Sequence, residues 1–171
     1  MSRRRKIAIG VSMLIAYLLQ LSLFPELKIL GVQPDLMLVI AIIVAIQDGP
    51  VEGCLVGFIG GLAFDLTGSQ IVGVGAFSKA ATAFLVGIFK DLFVTYTVLL
   101  PVFLVFFGGL VEQLLYHGGL AVLGSTGAVP LSPKYLFAVA FYDSLMVFVL
   151  FPVLRKFRGS EYSEYLGAIR P

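Results

Sequence analysis

Asp35, Asp65, Glu112, Asp143, Lys79 and His117 all stand within or beside long apolar stretches of the chain. In such a setting, groups of these types could serve hydrolysis, phosphotransfer or ligand binding. Intramembrane hydrolysis needs paired aspartates, or a serine with a base at matching depth. Phosphotransfer needs Asp, Arg or Lys clustered at an interface, and ligand binding needs a few polar groups converging on a pocket. Ser78 beside Lys79 and Ser144 beside Asp143 can be drawn as nucleophile and base. Neighbours on a helix point about 100° apart, however, and do not face one another. His117, the only histidine, falls beside Gly118 and Gly119 at an expected helix end, a capping or interfacial position. No catalytic residue is assigned, and no motif for a metal or cofactor is present.

The solvent around these groups follows from composition. Hydrophobic residues make up 59% of the 171 and charged residues 13%, where a soluble domain carries about 45–50% and about 25%. Mean hydropathy is +1.02. These values describe an all-α, polytopic integral membrane protein embedded in a lipid bilayer. The net charge of +2 is too small and too scattered for nucleic acid. Cys54 is the only cysteine and reads as a small packing residue, without a disulfide.

Punctuation by proline, glycine and charge divides the chain into six expected transmembrane helices. The first, about 7–24, follows the cations Arg3, Arg4, Arg5 and Lys6 and reads as an uncleaved span, because no small-residue cleavage site follows. Pro25 ends it. Pro34 and Asp35 open a second helix, about 34–47. Its roughly 14 residues span only about 21 Å against a hydrocarbon core of ~30 Å. A third, about 51–66, is also short, so the two form a hairpin around Asp48-Gly49-Pro50, or else one long helix broken there. Helices at about 71–89, 92–116 and 135–154 complete the single transmembrane domain, and 155–171 forms a short cytoplasmic tail. Pro101 and Gly108-Gly109 are expected to bend the fifth. Both termini then share the cytoplasmic side with Lys90, Arg155, Lys156, Arg158 and Arg170, leaving Lys28 and Lys134 outside.

Two features within this frame could carry function. Gly49, Gly53, Gly57, Gly61 and Asp65 recur every four residues, forming a small-residue stripe that lets backbones approach closely. The stripe serves packing within the bundle or receives a partner's helix, and Asp65 at its end is a helix anchor or a functional contact. The other feature is a matched pair of charges. Lys79 and Asp143 each lie about eight residues, or about 12 Å, into their helices. A lone charge at midplane costs at least ~2.5–3.5 kcal/mol on insertion scales, so the leading reading is a buried charge pair and the rival is an ion or proton route. Glu112 is placed nearer the outer surface.

Gln20 before Pro25, then "QPDLMLVIAIIVAIQDGPVEGCLVGFIGGLAFDLTGSQIVGVGAF" from Gln33 to Phe77, resembles the rod shape-determining protein MreD family. The likeness rests on Pro34-Asp35-Leu36, the Gly49/Gly53 turn region and a Gly-Phe-x2-Gly-Leu-x2-Asp core holding Phe58, Leu62 and Asp65. It implies a non-enzymatic, multi-pass component of the bacterial cytoplasmic (inner) membrane in the cell-wall elongation machinery. Its implied partners are the single-span protein MreC and, indirectly, the MreB filament, RodA and a class B penicillin-binding protein. That family is distantly similar to substrate-binding subunits of energy-coupling-factor transporters. The rival function is therefore small-molecule capture by Gln20, Asp35, Asp65, Glu112 and His117.

The cation distribution makes topology testable. Reporter fusions at Ser2, Leu92 and Tyr165 are expected to signal cytoplasm, and those at Leu30 and Thr126 the outside. A C-terminus outside the cell would refute the six-span arrangement.

Overall fold

The computed structural model describes residues 3–22, 32–68, 71–90, 99–124 and 132–156. Within them run α1 (Arg3–Ser22), α2 (Leu36–Asp48), α3 (Pro50–Asp65), α4 (Val74–Phe89), α5 (Leu99–Val122) and α6 (Pro133–Lys156). Helices α1, α5 and α6 are long and apolar enough to cross a membrane, while α2 and α4 are apolar but shorter. Pro25, Lys28, the expected start of the fifth helix and the tail beyond Lys156 lie outside the described residues.

The architecture follows from α2. Its 13 residues hold no polar side chain before Gln47, and a helix apolar on every side must be enclosed. Leu38 through Ala45 have no exposed surface, and α2 touches each of the other five helices. Ile9 and Ala16 of α1, Val105 of α5, and Val147 and Leu154 of α6 complete the core around it.

Gly49 and Pro50 set the reversal from α2 into α3. Gly49 has φ 128°, a conformation that side-chain-bearing residues rarely adopt, and its N–H donates to the Ala45 carbonyl to finish α2. Pro50 then supplies the first turn of α3, where its missing N–H costs nothing. The chain therefore turns back as a hairpin, and the single broken helix is not formed. At the other end of α3, Gly73 at φ 104° delays the start of α4 to Val74, three residues later than the apolar run suggests.

The glycine stripe is filled by the chain's own helices. Gly53 faces Ala45 of α2. A Cβ on Gly57 would sit 2.8 Å from the Lys79 carbonyl oxygen, and one on Gly61 would sit 2.6 Å from the Ala76 Cα. Gly87 of α4 meets Pro50 in the same way, so α3 and α4 run antiparallel with backbones nearly touching along their length. Gly108 of α5 faces Ile42 and Gly109 faces Ala140, and α5 stays helical through both. In lipid such contact is what holds helices together, since no water is released by their association. The outward faces carry Val11, Leu14 and Ile15 on α1, Phe103 and Phe107 on α5, and Phe141 and Phe148 on α6.

The end of the bundle where α1 begins is closed by Arg5, only 2% exposed. Its guanidinium pairs with Asp48 at 2.7 Å, donates to Gln47 Oε1 at 2.5 Å and donates to the Leu154 carbonyl. Lys90 donates to the Ile46 carbonyl at 3.2 Å. Two helix C-termini thereby gain donors for carbonyls that have no intrahelical partner. The Arg5 network was not visible as a pair in the sequence, where Arg5 reads as one of four clustered cations.

A branched side chain at the α3–α4 contact cannot be housed without moving backbone. Gly57→Leu and Gly61→Leu are each expected to destabilise by roughly 1–3 kcal/mol or more. Val56 packs partly against the α2 core, so the outward Ile59→Leu is the neutral control. Unfolding in detergent that leaves both glycine variants at the parental midpoint would show that α3 and α4 do not meet here.

Candidate functional site

Opposite the Arg5 end, polar side chains from all six helices converge. Asp35 stands at the start of α2, where its side chain accepts the Leu38 N–H at 3.1 Å and caps the helix. Lys79, one turn into α4, extends its ammonium to Asp35 Oδ2 at 2.7 Å and to Glu112 Oε1 of α5 at 3.0 Å. Ser78 donates to the same Glu112 oxygen at 2.9 Å. Asp143 of α6 accepts the Asp35 backbone N–H on Oδ1 at 2.6 Å, while its Oδ2 is buried without a hydrogen-bond partner. Asp65, at the end of α3, accepts the N–H groups of Gly73 at 2.8 Å and Ala76 at 3.0 Å and so caps α4. A carboxylate there is also favoured by the helix dipole.

This arrangement revises the charge pairing expected from depth alone. Lys79 and Asp143 share one cluster, but Asp35 lies between them: the ammonium takes Asp35 and Glu112 as counter-ions, and Asp143 binds backbone. Glu112 is only 2% exposed. The sequence placed it nearer water because α5 was expected to stop at Tyr116, whereas the helix continues to Val122. Ser78 and Lys79, although adjacent in sequence, reach a common oxygen because Glu112 is long enough to meet both. Ser144 donates to the Phe141 carbonyl of its own helix at 2.7 Å and forms no pair with Asp143.

Beside the cluster is a cavity of about 210 Å³, lined among others by Gln20, Asp35, Asp65, Lys79, Glu112 and His117. All five polar residues considered from the sequence for ligand capture border it. His117 sets its Nδ1 2.8 Å from the Gln113 carbonyl. Pro34 also borders the cavity. Leu36 joins the core, whereas Phe58 is exposed on the outward face of α3. Tyr116 and Tyr135 also form part of the wall.

Five helices around a buried apolar α2, glycine contacts at α3–α4 and a polar cluster at Lys79 fit a membrane protein whose interior is tied together by charge. Residues 1–158 match the family model described as rod shape-determining protein MreD. The chain belongs to the MreD family. No curated protein and no solved structure matches it significantly. MreD proteins are membrane proteins that determine rod shape, and MreD is not a known family of enzymes.

Since Lys79 has two carboxylate partners in a buried setting, Lys79→Met is expected to cost about 3–5 kcal/mol by stranding charge. In double-mutant cycles read by unfolding in detergent, Lys79→Met should couple to Glu112→Leu more strongly than to Asp143→Leu, by about 1 kcal/mol or more. Equal couplings would return Asp143 to the role of direct counter-ion.

Proposed function

We propose that this MreD-family chain is a non-enzymatic scaffold of the bacterial cell-wall elongation complex. It sits in the cytoplasmic membrane as a six-span protein with both termini inside. There it holds an MreC-like single-span protein and, through it, helps position the peptidoglycan synthases, RodA and a class B penicillin-binding protein, alongside MreB. The observation that carries this reading is the family match over residues 1–158. The orientation is supported by the gathering of Arg3, Arg4, Arg5, Lys6, Lys90, Arg155 and Lys156 at one end of the bundle, as cytoplasmic loops require.

The structure suggests how a scaffold of this kind would work. The glycine stripe is occupied internally, so a partner helix would have to lie on an outward apolar face. Helix α1 is held by a narrow buried stripe of Arg5, Ile9, Ala16 and Gln20, which leaves Val11, Leu14, Ile15 and Leu18 facing away from the bundle. A packed core with a locked interior would keep such faces in fixed register for a partner.

Affinity purification of the tagged full-length chain from its own membranes is expected to recover the MreC-like protein, and depletion is expected to turn rods into spheres. Cells that keep their shape and width after complete depletion would refute the scaffold role.

A further inference from the structure

The cavity beside Lys79 offers more hydrogen-bond acceptors than the protein itself uses. Gln20 is 5% exposed, lines this space, and its Oε1 has no hydrogen-bond partner; Gln33 Oε1 on the same wall has none either. Charge is similarly unbalanced. Asp35 and Glu112 share the ammonium of Lys79, which leaves one carboxylate in excess among those three groups. Asp143 lies behind Asp35 with its Oδ2 unpartnered. Tyr116 and Tyr135 also line the space. Among the described residues no three of His, Cys, Asp and Glu are grouped closely enough to hold a metal ion.

We propose that this cavity binds a compact cationic hydrogen-bond donor, an alkylammonium or guanidinium group. Its charge offsets the excess carboxylate, and its N–H groups satisfy the Gln20 and Gln33 oxygens. A cation in a negative cavity also selects the amide orientation that presents oxygen, so ligand and lining reinforce each other. At about 210 Å³ the space is smaller than the ~300–1,000 Å³ of drug-sized sites, which suits a group of a few heavy atoms. The group comes from a soluble amine or guanidine or from the amine of a phosphatidylethanolamine headgroup. The site stands apart from the scaffold role: it is read from the lining residues, and partner capture does not enter into it.

The test uses the purified full-length protein in lipid-free detergent, followed by thermal unfolding. Ethylammonium and methylguanidinium are expected to raise the midpoint saturably, whereas sodium chloride and tetramethylammonium, which donates no hydrogen bond, do not at equal ionic strength. Gln20→Met should unfold like the parent without ligand but bind methylguanidinium about tenfold more weakly, the scale of a hydrogen bond to a charged group. If Gln20→Met is itself unstable, Gln20→Glu should instead bind about tenfold more tightly through its added charge. In nanodiscs, a higher methylguanidinium requirement with phosphatidylethanolamine than with phosphatidylglycerol identifies a lipid amine as the source, and an equal requirement identifies a soluble cation. Absence of saturable stabilisation by both cations, or Gln20 variants that bind like the parent, would overturn the site.

Discussion

An ammonium enclosed by apolar helices must bring its counter-charge with it, and the way Lys79 meets this demand ties the bundle together. Its partners come from α2 and α5, and the nearer of them, Asp35, is also the cap of α2 and a donor to α6. Four helices are thus joined through a few atoms at one level. Any shift of α4 along its axis would separate the charges, at the full cost of leaving one of them buried and unpaired. The pairing specifies register even where its net contribution to stability is small.

Contact along α3 and α4 acts in the same direction by different physics. Glycines at Gly57 and Gly61 bring the α3 backbone against that of α4, which fixes where Lys79 enters the bundle. Asp65 then caps α4 from the end of α3, so the short connection between them starts and ends on the same carboxylate. At the opposite end Arg5 gathers Asp48, Gln47 and the end of α6. Between these two polar layers α2 is wholly apolar, and its position is determined from both sides.

The helices were legible because their apolar runs are long and because Pro34 and Gly49-Pro50 mark two of their boundaries, whereas the start of α4 at Gly73 was missed by three residues. The glycine spacing also announced a close approach, although not whose backbone would fill it. What could not be read was the pairing within the polar cluster. Counting residues from a helix start gives depth but not rotation about the axis, so Asp143 looked equivalent to a counter-ion. Asp35, at the first turn of a helix, looked like a dipole residue. The missed continuation of α5 beyond Tyr116 misplaced Glu112, because glycines at Gly118 and Gly119 resemble a stop signal when tertiary packing is unknown. Arg5 and Asp48 are 43 residues apart, and nothing local marks them as partners. The five residues considered for ligand capture did converge: Gln20, Asp35 and Asp65 stand at helix ends on one side of the bundle, and Glu112 and His117 reach the same space from the second half of α5.

The wiring of Asp35 also bears on how the chain is made. Asp143 lies 108 residues after it, which at about 5–20 residues per second means roughly 5–20 seconds of synthesis between them. Lys79 arrives in the interval, Glu112 33 residues after Lys79. Until α6 emerges, Asp35 lacks the acceptor for its N–H, and α2 lacks the wall that encloses its last open side. The hairpin of α2 and α3 must therefore wait in the membrane half-built, its acidic end held near water or by the insertion machinery. The central helix is among the first parts translated and the last to be buried.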